Sequence, residues 1–201
     1  IYVMKELKNI FISMSIVFLF ACETEELPIA INYPEIFSTQ ISLESDYRNQ
    51  VFYNISSDLI ASQNIKTDWD ICFENSSEGY HIMINSSVFS SIASLENISF
   101  TDLTSISPNS LTWRWDNPNG DLDSLAIGDY RTEDKIYILD RGYNIDGSFR
   151  SPRYKKFIVD TVTDTYYTIR HANIDNSDMI VEQINKDYTT NMISSFFIKM
   201  T

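Results

Sequence analysis

The sequence predicts a single antiparallel all-β domain, and three observations carry that prediction. Apolar and polar residues alternate over short runs, and the runs recur at roughly the 8–12-residue spacing of antiparallel sheets. No 3.6-residue period intervenes to supply the helices of a parallel sheet. The composition agrees: 13% of the 201 residues are aromatic, with 12 Tyr and 12 Phe, which favours strands, and a hydrophobic fraction of 43% suffices for a core. With 5 Gly and 5 Pro the chain is neither collagen-like nor of low complexity.

The domain is expected over residues 35–201. Phe37 to Leu43 alternates loosely and predicts a first strand, and Gln50 to Ile55 a second, closed by the turn formers Asn54 to Asp58. Leu59 to Ser62 predicts a short third. The stretch Lys66-Thr67-Asp68-Trp69-Asp70-Ile71-Cys72-Phe73 reads as a polar turn leading into a central strand, with Trp69 and Phe73 packing. Its partner is Tyr80 to Asn85, across the polar connection Glu74 to Gly79. Ser86 to Ser110 is Ser-rich and fits short strands or irregular loops. Trp113 and Trp115 alternate onto one face, as a buried pair or as an exposed grip for a flat ligand or sugar. After the turn cluster Asp116 to Asp121, Leu122 to Thr132 reads as a surface excursion. The clearest strands follow: Lys135–Asp140, Tyr154–Asp160, Tyr166–Ala172, Met179–Ile184 and Ser195–Ile198.

Residues 1–21 read as an export signal: Lys5 and Lys8, an apolar run from Ile10 to Phe20 too short to span a bilayer, and the small residue Ala21. Residues 1–3, ahead of Met4, read as an over-extended start. Leu19-Phe20-Ala21-Cys22 resembles a bacterial lipobox, in which Cys22 would be lipidated and head the mature chain. Residues 22–34 form the acidic tether Glu23-Thr24-Glu25-Glu26 and a linker, an arrangement similar to lipoproteins displayed on the surface of Gram-negative cells. With Cys22 carrying lipid, Cys72 has no cysteine to pair with and reads as a small buried hydrophobe. The net charge of -13 argues against nucleic acid as a partner and against contact with an anionic membrane other than through the anchor.

Three stretches together resemble the HmuY-like family of bacterial outer-membrane lipoproteins: Asp68-Trp69-Asp70-Ile71-Cys72-Phe73 with the strand ending Ile84-Asn85-Ser86; Lys135 through Tyr143; and Tyr154-Lys155-Lys156-Phe157 running to Tyr167-Thr168-Ile169-Arg170. The resemblance spans about Gln50 to the C-terminus. It implies a lipid-anchored all-β domain that binds haem and hands it to a TonB-dependent outer-membrane receptor. It further implies two axial ligands, histidines or methionines, from loops and strands of the second half.

The residues themselves offer few groups for such chemistry. The chain has 2 His. His81 and Met83 share one face of the strand Tyr80–Asn85; they are candidate haem ligands or ordinary members of a half-exposed face. His171 shares a face with Tyr167 and Ile169, as a third candidate or as a buried histidine satisfied by a hydrogen bond. Asp116, Asn119, Asp121 and Asp123 around Gly120 are oxygen donors suited to Ca²⁺, or turn formers beside Pro118. No nucleophile elbow, His-Glu-x-x-His motif or nucleotide-binding glycine motif is present, so the chain reads as a non-enzyme. Two functions are expected as alternatives: a surface-anchored binder of haem or a related tetrapyrrole, or a cofactor-free interaction module contacting a protein or glycan.

Overall fold

The computed structural model describes residues 38–77, 79–119, 121–128, 130–132, 135–186 and 195–200. Among these residues ten strands form three antiparallel sheets, and the helical segments are single 3-10 turns. β1 (Asn49–Asn54) and β2 (Leu59–Ile65) pair as a hairpin; β3 (Ile71–Glu74) lies between β10 (Ser195–Ile198) and β4 (Ile82–Ile84). The largest sheet runs β5 (Ser91–Leu95), β6 (Ile136–Asp140), β7 (Tyr154–Val162), β8 (Tyr166–Asn173) and β9 (Ile180–Asn185). From Gln40 onward the chain is one compact unit.

Alternation of side chains explains how the sheets stack. In the β3–β4 pair, Ile71 faces Ile84 and Phe73 faces Ile82, all four at most 2% exposed. They form one cluster with Tyr137, Leu139, Phe157, Tyr167 and Ile169 of the five-stranded sheet, so the two sheets bury a common face. The opposite face of β6 presents Ile136 and Ile138, which pack with Phe100, Leu103 and Ala172. β6 is therefore buried on both faces, a sheet on one side and a loop on the other. Each fully buried large apolar side chain is worth about 1.5–3 kcal/mol.

The Ser-rich middle supplies that loop. It contains β5 and then no further strand until β6, apart from a single bridge between Ile92 and Arg114. Lys156 fastens it: its Nζ donates to the carbonyl of Phe100 at 2.7 Å, to that of Leu103, and to Asn176 Oδ1 at 2.6 Å. On the opposite face, Tyr167 Oη donates to the carbonyls of Glu74 (2.7 Å) and Gly79 (2.9 Å), and Lys186 Nζ also donates to Gly79 (2.7 Å). These bonds hold the β3–β4 loop against β8 and satisfy backbone groups that burial would otherwise strand.

Three expectations change. Of the stretch Phe37–Leu43 the described part, Ser38 to Leu43, contains no strand; Glu44 and Tyr47 take left-handed backbone at φ 65° and 52° and turn the chain before β1. The strand expected from Tyr80 is confined to Ile82–Ile84, because the carboxylate of Glu74 takes the N–H groups of Tyr80 and His81 out of the ladder. Trp113 and Trp115 are not a buried pair. Trp113 is half-buried, stacking on Tyr154 with ring centroids 5.8 Å apart, and Trp115 is 61% exposed. Elsewhere the C-terminal strands fall where the alternation puts them. The leader over residues 1–21, the lipidation candidate Cys22 and the tether over residues 22–34 lie outside the described residues.

Candidate functional site

The Trp69-Asp70 pair forms a buried anchor. Asp70 is 0% exposed and meets two guanidiniums: Arg141 donates from Nε and Nη2 at 3.2 Å each, and Arg150 Nη1 lies 2.6 Å from Oδ1. Met200 N adds a fourth contact at 2.8 Å. Arg150 also donates to the carbonyls of Thr67 (3.0 Å) and Trp69 (3.3 Å), and Arg141 to those of Ser151 and Pro152. Asn85 Nδ2 donates to the carbonyls of Lys66 (2.7 Å) and Trp69 (2.9 Å). Burial pulls Arg150 below its ordinary value, and Asp70 pulls it back. One carboxylate thus joins the turn before β3, the end of β6, the β6–β7 connection and the C-terminal segment.

Above this anchor lies an open cleft of about 450 Å³, lined by Lys66, Ser87, Phe89, Tyr143, Asn144 and Ile145. Its wall is tightly specified. Tyr143 N donates to Val88 O at 2.9 Å, and Gly142 (φ 70°) stands so close that a Cβ there would lie 1.9 Å from the same oxygen. Phe89 has left-handed backbone at φ 60° and its ring is 74% exposed. A bulky residue in that region costs about 1–3 kcal/mol, and such strain concentrates at ligand sites. Tyr143 (38% exposed) meets Phe89 edge-on at 6.3 Å and stacks on Phe149 (46% exposed) at 4.8 Å. Arg153 caps the stack, 3.5 Å over the Phe149 ring. Asp140 chiefly holds Arg153 above its ordinary value, with Tyr154 and Tyr143 adding to the pull.

Two exposed aromatic rings lining a cleft, a third stacked on Tyr143, and Lys66 in the lining suit a flat, largely apolar ligand carrying negative groups. Of these residues Lys66 and Tyr143 belong to stretches the sequence singled out. Phe89 stands among serines, and Phe149, bridged to Tyr143, and Arg153 fall between β6 and β7, so no periodicity marks them; two aromatic residues stranded between strands are the one available signal.

The sequence-derived ligand candidates lie elsewhere. His81 Nδ1 is hydrogen-bonded to Glu74, its Nε2 is 3.7 Å from Asp123 Oδ1, and its ring stacks on Tyr80 at 4.3 Å. Burial would raise Glu74, but bonds from His81 and Ser76 outweigh it and hold the carboxyl below the ordinary range. Met83, half-buried, pairs with Cys72 in β3. His171 is 2% exposed in β8, with Nε2 3.5 Å from Glu182, and burial pulls it below its ordinary value. His81 and Met83 thus belong to the β3–β4 side and His171 to the five-stranded sheet; none of the three lines the cleft.

The acidic loop is organised by its own hydrogen bonds. Asp116 accepts the N–H groups of Ile84 (2.8 Å) and Ala126 (2.9 Å), and burial raises its carboxyl. Asn119 accepts from Asp121 N, and Asp121 caps the turn Leu122–Ser124 through Asp123 N and Ser124 Oγ. Among the described residues no three carboxylates, imidazoles or thiolates gather in a metal-binding group. Asp116, Asn119 and Asp121 thus bond the backbone of the loop and of its neighbours, while the Asp123 carboxylate, exposed, faces His81 Nε2 at 3.7 Å.

A protein-family model described as HmuY protein matches residues 46–199. No curated protein and no solved structure gives a significant match. With most of its length matched, the chain belongs to the HmuY family, which is associated with haem binding at the cell surface.

Proposed function

We propose that this HmuY-family chain is a surface-anchored lipoprotein that captures haem, or a related tetrapyrrole, in the cleft bounded by Phe89 and Tyr143, and passes it to a TonB-dependent outer-membrane receptor. The observation that carries this reading is the pair of exposed rings Phe89 and Tyr143 lining one cleft, with Phe149 stacked on Tyr143, on a chain of that family. The volume of about 450 Å³ lies in the usual range of small-ligand sites. The aromatic faces suit a planar macrocycle, and Lys66 suits its carboxylates. Haem, when bound, supplies the iron and the colour; the protein supplies an apolar seat, cations and a boundary against water. For His81 and His171 to ligate one iron instead, each would have to leave the carboxylate it now faces.

Haemin titration followed by absorbance tests the reading. A saturable, red-shifted Soret band is expected, with Phe89→Ala weakening binding about tenfold, the value of a lost aromatic contact near 1.4 kcal/mol. An unshifted Soret band across the titration refutes it. If His81→Ala and His171→Ala together abolish the band while Phe89→Ala leaves it intact, the ligand sits at the histidines. The anchor is tested separately: Cys22→Ser is expected to move the protein from the membrane fraction to the soluble one.

The cofactor-free alternative draws on the β1–β2 hairpin. Between Asn49 and Ile65 the charged residue is Asp58 alone, while Ile55, Leu59 and Ile60 are 86%, 64% and 49% exposed. On so acidic a chain, an uncharged apolar ribbon suits contact with a protein. Haemin binding by the cleft and protein contact by the hairpin are compatible.

A further inference from the structure

We infer that Tyr143 is the iron-ligating residue of the cleft, and that the site therefore selects ferric tetrapyrroles. The inference rests on the cleft being a tetrapyrrole site. Protein groups that serve as axial ligands to haem iron are imidazole, thiolate, thioether and the phenol oxygen of tyrosine. Among the described residues of the lining, Tyr143 alone carries one of them. The two lining side chains that end in nitrogen, Lys66 and Asn144, present N–H donors and no acceptor nitrogen.

The placement of Tyr143 supports the role. Its backbone is fixed by the bond from its N–H to Val88 O and by the glycine before it, and its ring is clamped between Phe149 and the edge of Phe89. The ring is therefore oriented before any ligand arrives, which lowers the ordering cost of binding. Arg153, 3.5 Å over the Phe149 ring and paired with Asp140, closes the far end of the stack and keeps Phe149 seated against Tyr143. A phenolate is a hard, anionic donor and binds Fe³⁺ in preference to Fe²⁺; metal-free porphyrins gain nothing from it. Tyr143 thus converts a seat that accepts any flat macrocycle into one that reads the metal and its oxidation state.

The test uses the full chain, haemin and metal-free protoporphyrin IX. The wild-type protein is expected to bind haemin at least about tenfold more tightly than protoporphyrin, a coordination bond adding no less than about 1.4 kcal/mol. It should show the charge-transfer absorption and high-spin ferric EPR signal of a phenolate-ligated haem, and lose affinity on reduction with dithionite. Tyr143→Phe keeps the ring stack and is expected to remove that spectrum and bring the haemin affinity down to that of protoporphyrin. Tyr143→His, which supplies a different ligand at the same place, is expected to restore the preference for haemin with an altered spectrum. If Tyr143→Phe or Tyr143→His leaves the haemin spectrum and affinity at wild-type values, Tyr143 is not the ligand although the site stands. If the wild-type protein binds neither porphyrin, the cleft is no tetrapyrrole site and the inference falls with it.

Discussion

Replacing Asp70 by Asn tests the buried anchor. The carboxylate is fully buried and accepts from Arg141 at both oxygens, from Arg150 at 2.6 Å and from Met200 N at 2.8 Å. Asparagine keeps the shape but removes the charge, and its NH₂ group faces donors with nothing to accept. Two guanidiniums at most 4% exposed are then left with no negative partner between them. Breaking a buried ion pair by removing one partner costs about 3–5 kcal/mol. The carbonyls of Thr67, Trp69, Ser151 and Pro152 still solvate the two arginines, which keeps the loss within that range rather than above it. At about 2–4 °C per kcal/mol for a chain of this size, the melting temperature falls by about 6–20 °C. Guanidinium unfolding followed by tryptophan fluorescence measures the loss, with the m-value expected to stay constant. A loss below about 1 kcal/mol would refute the idea that this carboxylate holds the ends of the sheets together.

Three further outcomes follow from the same contacts. Trp69→Ala removes a ring 6% exposed that donates to Gln50 at 2.8 Å, and is expected to cost about 3–5 kcal/mol in denaturant unfolding; less than about 1 would show the ring to be dispensable. Gly142→Ala adds a methyl group 1.9 Å from Val88 O at φ 70°, and is expected to cost more than about 2 kcal/mol, whereas a wild-type melting temperature would mean that the wall yields easily. Glu74 has its folded pKa lowered from 4.5, so its share of stability is present above about pH 4.5 and is lost as the pH falls through the folded value; Glu74→Gln should flatten the melting temperature's acid limb, and parallel limbs would count against the pair.

The fold was legible where apolar patterning was strong. Ile136 to Leu139 is a continuous apolar run, Tyr154 to Asp160 carries Phe157, Ile158 and Val159, and Tyr166 to Ala172 alternates through Tyr167 and Ile169; each is a strand. The Phe37–Leu43 stretch alternates too, yet its described part is irregular, because alternation reports a possible buried face and not the partner needed to bury it. The role of the Ser-rich middle was hidden for a related reason. Phe100 and Leu103 are buried by the outer face of a distant sheet, and the lysine that fastens them is 53 residues or more away in sequence. The site was less legible than the fold. Histidines attract attention as ligands, but His81 and His171 each face a carboxylate. The cleft depends on Phe89, Tyr143 and Phe149, which only tertiary structure brings together, and on a left-handed phenylalanine that no local rule anticipates.

Anchor and cleft are mechanically one object, and this bears on how a ligand would enter. Lys66 lines the cleft with its side chain while its carbonyl accepts from Asn85, the residue that also holds Trp69. Gly142 and Tyr143 form the opposite wall and follow directly on Arg141, whose side chain is spent on Asp70. Ser87 and Phe89 sit on the 3-10 turn that Asn85 caps through Ser87 N. Each wall is thus only a few residues from a group buried in the Asp70–Asn85 network, too short a span for one wall to move without disturbing a buried charge or amide. Moving either wall would expose or strand such a group, at a cost on the order of 1–3 kcal/mol for each hydrogen bond left unmade. Phe89 at the rim is less constrained, being 74% exposed, whereas Phe149 is held in its stack between Tyr143 and Arg153. The geometry therefore favours a rigid floor and a preformed Tyr143–Phe149 stack, in which binding reorders little beyond the exposed ring of Phe89 and leaves the sheets in place.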